Sequence, residues 1–179
     1  PAAVLEHEAW LAAGAENDWF LREVLFFQIR TLRKFDNMSK SLFSLIEEGH
    51  CFVGTLFEIC LASDRSYMFM DDDGENSLTL SDANKGRFLM SNGNTRMTQR
   101  FLGEPAQIEE AFDQDGAIDA ELADEIGLVT ASLDDIDYED EIRIAIEERL
   151  SLSPDALTGM EQNLRFGGSE NCETKIYGR

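Results

Sequence analysis

The sequence predicts an α/β fold with a helical C-terminal portion, on three observations. Two helical stretches open the chain. Two short apolar runs then bracket a glycine turn and a brief helical pattern between 41 and 70. The remainder alternates capping residues with apolar positions at helical spacing. With 179 residues, 43% of them hydrophobic, the chain can bury one domain-sized core.

Ala2 to Ala15 reads as the first helix. Asn17 or Asp18 caps a second that runs to about Phe35. Within it, Trp19 to Leu32 is apolar but broken by Arg22, Glu23, Gln28 and Arg30, so we expect a largely buried helix and no membrane span. Ser41 to Ile46 suits a buried strand, and Gly49 begins the turn that follows. Gly54 then makes a tight turn into a short helix carrying Glu58 and Cys60, and Tyr67 to Met70 is the next strand. A turn is expected over 71–76, centred on Asp73-Gly74, with a third, adjacent or hairpin-like strand from Ser77 to Leu80.

Ser81-Asp82 suits a cap of the turn that ends at Lys85. Asn92-Gly93-Asn94 is a loop, after which Arg96 and Arg100 share a helix face. Pro105 opens a helix to about Phe112, and Asp119 starts another. Gly127-Leu128-Val129 is expected as a short strand. Ile142, Ala145, Ile146 and Leu150 mark an amphipathic helix. Ser153-Pro154-Asp155 opens the next helix, stopped by Gly167-Gly168. The last residues, from Lys175, resemble the start of an element, and Pro1 is not an initiator methionine. An excerpt from a longer polypeptide is therefore expected.

The formal net charge is −21, from 36 acidic and 15 basic residues. Such a surface repels phosphates, which argues against nucleic acid as the main partner. Cys51, Cys60 and Cys172 form neither a disulfide framework nor a zinc pattern, which fits a reducing cytoplasm and packed structural thiols. His7 and His50 lack partners at metal-ligand spacing, so no metal site is expected.

Chemistry concentrates around Gly54. A helix that begins on a glycine can offer backbone N–H groups to an anion or to an acyl oxygen that becomes an oxyanion, which makes Gly54 and Thr55 candidate substrate-binding residues. Glu58, one turn into the helix, and Asp82, beyond the following strand, are candidate acid and base. Each also has a purely structural alternative: a permissive turn, a residue favouring the helix dipole, a cap. Arg96 and Arg100 can meet a phosphate or carboxylate, or neutralise an acidic neighbour. Lys34 and Lys40, with Arg30 and Arg33, form a basic cluster suited to a polyphosphate or to solvent.

Several segments occur together and in order: Cys51-Phe-Val-Gly-Thr-Leu-Phe-Glu-Ile-Cys-Leu-Ala-Ser-Asp64, Leu80-Ser-Asp-Ala-Asn-Lys-Gly86, Asn92-Gly-Asn-Thr-Arg96 and Ala123-Asp-Glu-Ile-Gly-Leu-Val129. They resemble the crotonase (enoyl-CoA hydratase/isomerase) superfamily. A closer resemblance, to the benzoyl-CoA-dihydrodiol lyase (2,3-epoxybenzoyl-CoA dihydrolase) family, rests on Ser41-Leu-Phe-Ser-Leu-Ile-Glu47, Ala62-Ser-Asp-Arg-Ser-Tyr67, Ser153-Pro-Asp-Ala-Leu-Thr-Gly-Met-Glu161 and Asn163-Leu-Arg-Phe166 with Glu173-Thr174.

The resemblance implies a crotonase-like ββα spiral fragment with flanking helices, one domain over 1–179, forming the second half of a longer two-half polypeptide. It implies a cytoplasmic, homo-oligomeric lyase that opens the ring of epoxidised benzoyl-CoA with water and releases formate. The partners would be an aromatic acyl-CoA and an N-terminal catalytic half, with no cofactor beyond the coenzyme A of the substrate. Glu58 and Asp82 would be the catalytic pair, Gly54 and Thr55 the oxyanion turn, and Lys34 and Lys40 contacts to coenzyme A.

The chain departs from the superfamily pattern. Thr55 and Leu56 stand where glycines continue, Asp82 stands for a glutamate, and Asn84 and Lys85 replace apolar residues. No first oxyanion segment is evident before Ser41. A supporting, non-catalytic half is therefore the competing expectation, and a divergent enoyl-CoA hydratase a third.

Overall fold

A computed structural model describes residues 1–71, 76–114, 116–168 and 171–177. The elements run α1 (Ala2–Ala15), α2 (Trp19–Asp36), β1 (Phe43–Ile46), a 3₁₀ turn (Gly54–Leu56), α3 (Phe57–Leu61) and β2 (Arg65–Phe69). A second 3₁₀ turn (Asp82–Lys85) leads to α4 (Arg96–Arg100), α5 (Ala106–Phe112), α6 (Ala120–Glu125) and β3 (Ala131–Leu133). α7 (Tyr138–Leu150), α8 (Pro154–Leu164) and α9 (Cys172–Tyr177) complete it.

The strands form one parallel sheet in the order β1-β2-β3, with Leu45 opposite Tyr67 and Tyr67 opposite Ala131. Parallel neighbours require crossovers. The first is the Gly54 turn with α3, and the second spans everything from 70 to 130. The main core, under the sheet, joins Ile46, Phe57, Met68, Leu78, Met97, Ile118 and Leu128. Each such side chain is worth about 1.5–3 kcal/mol when fully withdrawn from water.

Local chemistry sets the element ends. The Asp18 carboxylate accepts from the backbone N–H groups of Phe20 and Leu21 and starts α2. Ser153 accepts from Ala156 N to start α8, and Asp119 from Leu122 N to start α6. Asp18 thus answers two orphan donors of a helix N-terminus, and Ser153 and Asp119 one each.

Four expectations are corrected. α2 is not largely buried: Trp19, Phe20, Phe26 and Phe27 are exposed, and only Leu32 and Asp36 are fully enclosed. Two helices and one turn cover a single stripe of it, whereas its apolar residues run around more than one face. The third strand lies at Ala131–Leu133, because Gly127 adopts φ +77° and turns the backbone where Gly127 to Val129 was expected to extend. Ser77 to Leu80 makes only isolated bridges, Thr79 to Val53 and Leu78 to Ile118, so the hairpin-like arrangement is absent among the described residues. Cys172 is exposed on α9 and not packed, unlike Cys60 in the core. The Asp73-Gly74 turn centre lies outside the described residues.

Candidate functional site

Gly54 enters its 3₁₀ turn with φ +46°, a conformation that strains any residue with a Cβ. The turn's amides are fully used. Gly54 N donates to Thr79 O at 2.8 Å, Leu56 N to Val53 O at 3.0 Å and Phe57 N to Gly54 O. Thr55 N donates to Glu8 Oε2 at 2.7 Å, and the Thr55 hydroxyl donates to the same oxygen at 2.7 Å. The glycine turn therefore holds an anion, as a backbone donor at a helix start should. The anion is the chain's own Glu8, delivered from α1. A Cβ at Gly54 would lie 2.5 Å from Glu8 Oε2, so this glycine is needed for clearance as well as for φ.

Glu8 was not among the residues expected at the site. It had a signal: it shares the buried stripe of α1 with Leu11 and Ala15, and an acid on an apolar stripe needs a partner. Asp36 shows the same pattern one turn after Leu32 on α2.

Glu58 is buried and bonded at both oxygens. Asn84 Nδ2 donates to Oε1 at 2.8 Å, and Arg96 Nη1 donates to Oε2 at 2.8 Å. Arg96 also grips Asp36 with two parallel bonds, Nε to Oδ1 at 3.0 Å and Nη2 to Oδ2 at 2.8 Å. Asn84 further donates to Gly54 O at 3.0 Å, and its own side-chain oxygen caps Ser81 N at 3.0 Å. One guanidinium thus serves two buried carboxylates. Burial pushes both Glu58 and Asp36 above the ordinary carboxylate range, against the pull of Asn84 and Arg96 on Glu58 and of Arg96 on Asp36. Arg96 is shared between the two acids, and burial outweighs its pull together with that of Arg165 and Arg33 on Asp36.

The remaining candidates are not brought to this cluster. Asp82 is exposed and pairs with Lys85 at 2.8 Å, which holds its carboxyl below the usual range. Ser81, and not Asp82, is the cap there. Lys34 and Lys40 are exposed, at the end of α2 and in the loop before β1. Arg96 is spent on acidic neighbours, whereas Arg100 donates through Nε to Gly127 O at 2.8 Å and shows no carboxylate partner among the described residues.

Two cavities adjoin these groups, and a third lies apart from them. One of about 330 Å³, almost wholly apolar, is lined by Ala3, Val4, His7, Glu8, Gln28, Thr55 and Leu56 and opens onto the Glu8–Thr55 contact. One of about 250 Å³ lies at the C-terminal end of α3 and is lined by Arg96, Arg100, Arg149 and Arg165 among others. The largest, about 850 Å³, is a groove floored by Leu45, Phe69, Tyr138 and Ile142 with an acidic rim, remote from the glycine turn in the chain's topology. Among the described residues no cluster of three or more His, Cys, Asp or Glu is placed to hold a metal ion, and no helix is long and apolar enough to cross a membrane.

No protein-family model matches the chain. In sequence it is 49% identical over 177 residues to a benzoyl-CoA-dihydrodiol lyase of Aromatoleum evansii. That match covers 98% of this chain and only 32% of the relative. In structure it resembles an enoyl-CoA hydratase of Geobacillus kaustophilus HTA426 (TM-score 0.65, 19% identity, 89% of this chain and 58% of that one). It also resembles Pseudomonas aeruginosa AtuE (TM-score 0.67, 18% identity, 97% and 63%). The chain therefore has the crotonase fold of the enoyl-CoA hydratases, and it is a sequence relative of one third of a benzoyl-CoA-dihydrodiol lyase.

Proposed function

We propose that the chain is the second, supporting half of a lyase that opens the ring of 2,3-epoxybenzoyl-CoA with water and releases formate. In that enzyme a thioester carbonyl is polarised by backbone N–H groups while carboxylates manage water and protons. The only non-protein group required is the coenzyme A carried by the substrate. The match to one third of a benzoyl-CoA-dihydrodiol lyase supports the reaction class. The observation that carries the supporting role is internal occupancy: Glu8 fills the Thr55 donors, and Asn84 and Arg96 fill both oxygens of Glu58. Glu58 is besides only 2% exposed and lines none of the three cavities described above.

A packing and assembly role also gives the exposed aromatic face of α2 a use against the other half or a further subunit. A catalytic role for this half has one observation in its favour, the apolar cavity beside Glu8 and Thr55. Withdrawal of Glu8 would join that cavity to the vacated donors, with Gly54 and Thr55 then facing an acyl oxygen. Lys34 lies six residues past Gln28 on α2, about 9 Å along the axis, within reach of a coenzyme A tail.

Turnover of 2,3-epoxybenzoyl-CoA by the native enzyme containing this chain tests the reaction. An enzyme that instead hydrates simple enoyl-CoA thioesters would overturn it. Glu58→Gln and Asp82→Asn in that enzyme test the role. Turnover is expected to persist in both, and a large loss with an intact fold would make this half catalytic.

A further inference from the structure

α2 has the place of a crossover helix without a first strand. β1, α3 and β2 form a parallel strand–helix–strand unit, with α3 packed under the sheet through Phe57 and Cys60. α2 leads into β1 through a short connection and lies on the same side, where Leu25, Ile29, Leu32 and Phe35 share a cluster with Ile59 of α3. α7 covers the opposite face through Tyr138, Ile142 and Ala145. Parallel crossovers are right-handed in about 98% of cases, so two successive crossovers on one face step the sheet in one direction. A strand feeding α1 and α2 therefore belongs on the edge of β1 away from β2. Among the described residues that edge has no neighbouring strand.

The surface beside this edge is uncovered at the same place. Leu45, within β1, is 40% exposed, and Ile146 of α7 is 44% exposed. With Phe69, Tyr138 and Ile142 they line the groove of about 850 Å³. Parallel sheets are ordinarily covered on both faces, and open edges are paired or shielded. The groove also has a sign. Five carboxylates and one guanidinium line it, a net of four negative charges. Arg143 is taken by Asp140 and Glu147, both at 3.1 Å, and Glu47, Glu48, Asp135 and Glu139 have no ion-pair partner among the described residues. The fold itself extends past this chain, which covers 58% and 63% of the two solved structures compared above.

We infer that the free edge of β1 and this groove receive a fourth parallel strand, apolar with basic flanks, from a part of the lyase polypeptide outside 1–179. The inference rests on the chain being part of a longer lyase. One face of that strand closes over Leu45, and its basic flank answers Glu47 and Glu48. A second copy of the chain fits less well. Two-fold pairing of β1 with itself is antiparallel and supplies no strand to α2, and a net charge of −21 repels the copy.

The full-length enzyme containing this chain tests the inference. Alternate amides of β1 point away from β2, so hydrogen exchange of the unsubstituted enzyme reads the edge directly. Every amide of Phe43–Ile46 is expected to exchange more than about 100-fold slower than in an unstructured peptide. Alternate amides that exchange at the unstructured rate would overturn the added strand. A benzophenone amino acid in place of Leu45, photolysed and mapped by mass spectrometry, identifies the occupant. The adduct is expected on the same polypeptide, outside 1–179. Adducts confined to 1–179, an adduct to a second subunit, or no adduct would each reject it. Glu47→Lys with Glu48→Lys is expected to cut the adduct yield several-fold, and an unchanged yield rejects the basic flank. Turnover of 2,3-epoxybenzoyl-CoA is measured on the same preparation. An outside adduct in an enzyme without that turnover upholds the strand and rejects only the reaction.

Discussion

The Glu8 carboxylate, on α1, lies 2.7 Å from both the backbone nitrogen and the hydroxyl oxygen of Thr55. Glu8→Ala leaves a part-buried N–H and a hydroxyl unanswered, and is expected to cost about 1–3 kcal/mol. Glu8→Gln keeps an acceptor in place and should cost less. Gly54→Ala adds a Cβ at φ +46° in the path of Glu8 Oε2, for a further loss of about 1–3 kcal/mol. Urea denaturation of the two single variants and the double variant measures the coupling. Strict additivity would show that the carboxylate and the glycine do not meet.

Removing Arg96 should be far worse than removing a surface charge. Arg96→Met strands Asp36 and Glu58 in the interior and is expected to cost about 3–5 kcal/mol. Neutralising both acids in that background, by Asp36→Asn and Glu58→Gln, should restore part of the loss. A triple variant less stable than Arg96→Met alone would contradict the account. By contrast, Asp82→Asn should leave the melting temperature unchanged, since the pair with Lys85 is solvent-screened.

The same cluster sets a pH dependence opposite to that of an ordinary salt-bridged acid. Glu58 and Asp36 are raised in the folded state, so folding takes up protons between their ordinary and raised pKa values. Stability should rise as pH falls from neutrality through the raised values, then level off below the ordinary carboxylate range. Self-repulsion at a net charge of −21 acts in the same direction but is screened by salt. Burial holds the His50 imidazole below its ordinary range and acts in the opposite direction, so the Glu58 part is read as the difference between wild type and Glu58→Gln, in melting curves from about pH 8 to about pH 5 in high salt. A difference that shrinks on acidification, the variant gaining on the wild type, would refute it.

Cys172 and Cys60 should react in sequence. Cys172 is exposed and open to a thiol reagent, whereas Cys60 is 4% exposed with its thiol pushed up to about 12 by burial. At mildly alkaline pH Cys172 should be modified first, and Cys60 only on unfolding. Rapid labelling of Cys60 in the folded protein would disprove its place in the core.

Much of the helical framework was legible because its signals are local. Asp18, Asp119 and Ser153 announce helix starts within three residues of the groups they cap. The glycine turn was legible for the same reason, since a positive φ is a property of one residue. The occupants of the site were not. Glu8 meets Thr55 across 47 positions, and Arg96 meets Asp36 across 60, so no spacing rule joins them. The displacement of β3 and the exposed face of α2 are likewise tertiary outcomes. Which strand pairs with β2, and which side of a helix is covered, depend on neighbours that periodicity does not name.

Arg165 caps α8 and donates to the carbonyl oxygens of Phe35, Met38 and Lys40 while pairing with Asp64. The connection between α2 and β1 is thus clasped by a residue more than 120 positions later. During synthesis on the ribosome the 37–42 segment must wait for residue 165 to emerge before those carbonyls gain their donors. Long loop closures of this kind come late in folding. A nascent chain stalled before α8 should therefore carry a protease-sensitive nick site there, which seals once the arginine has arrived.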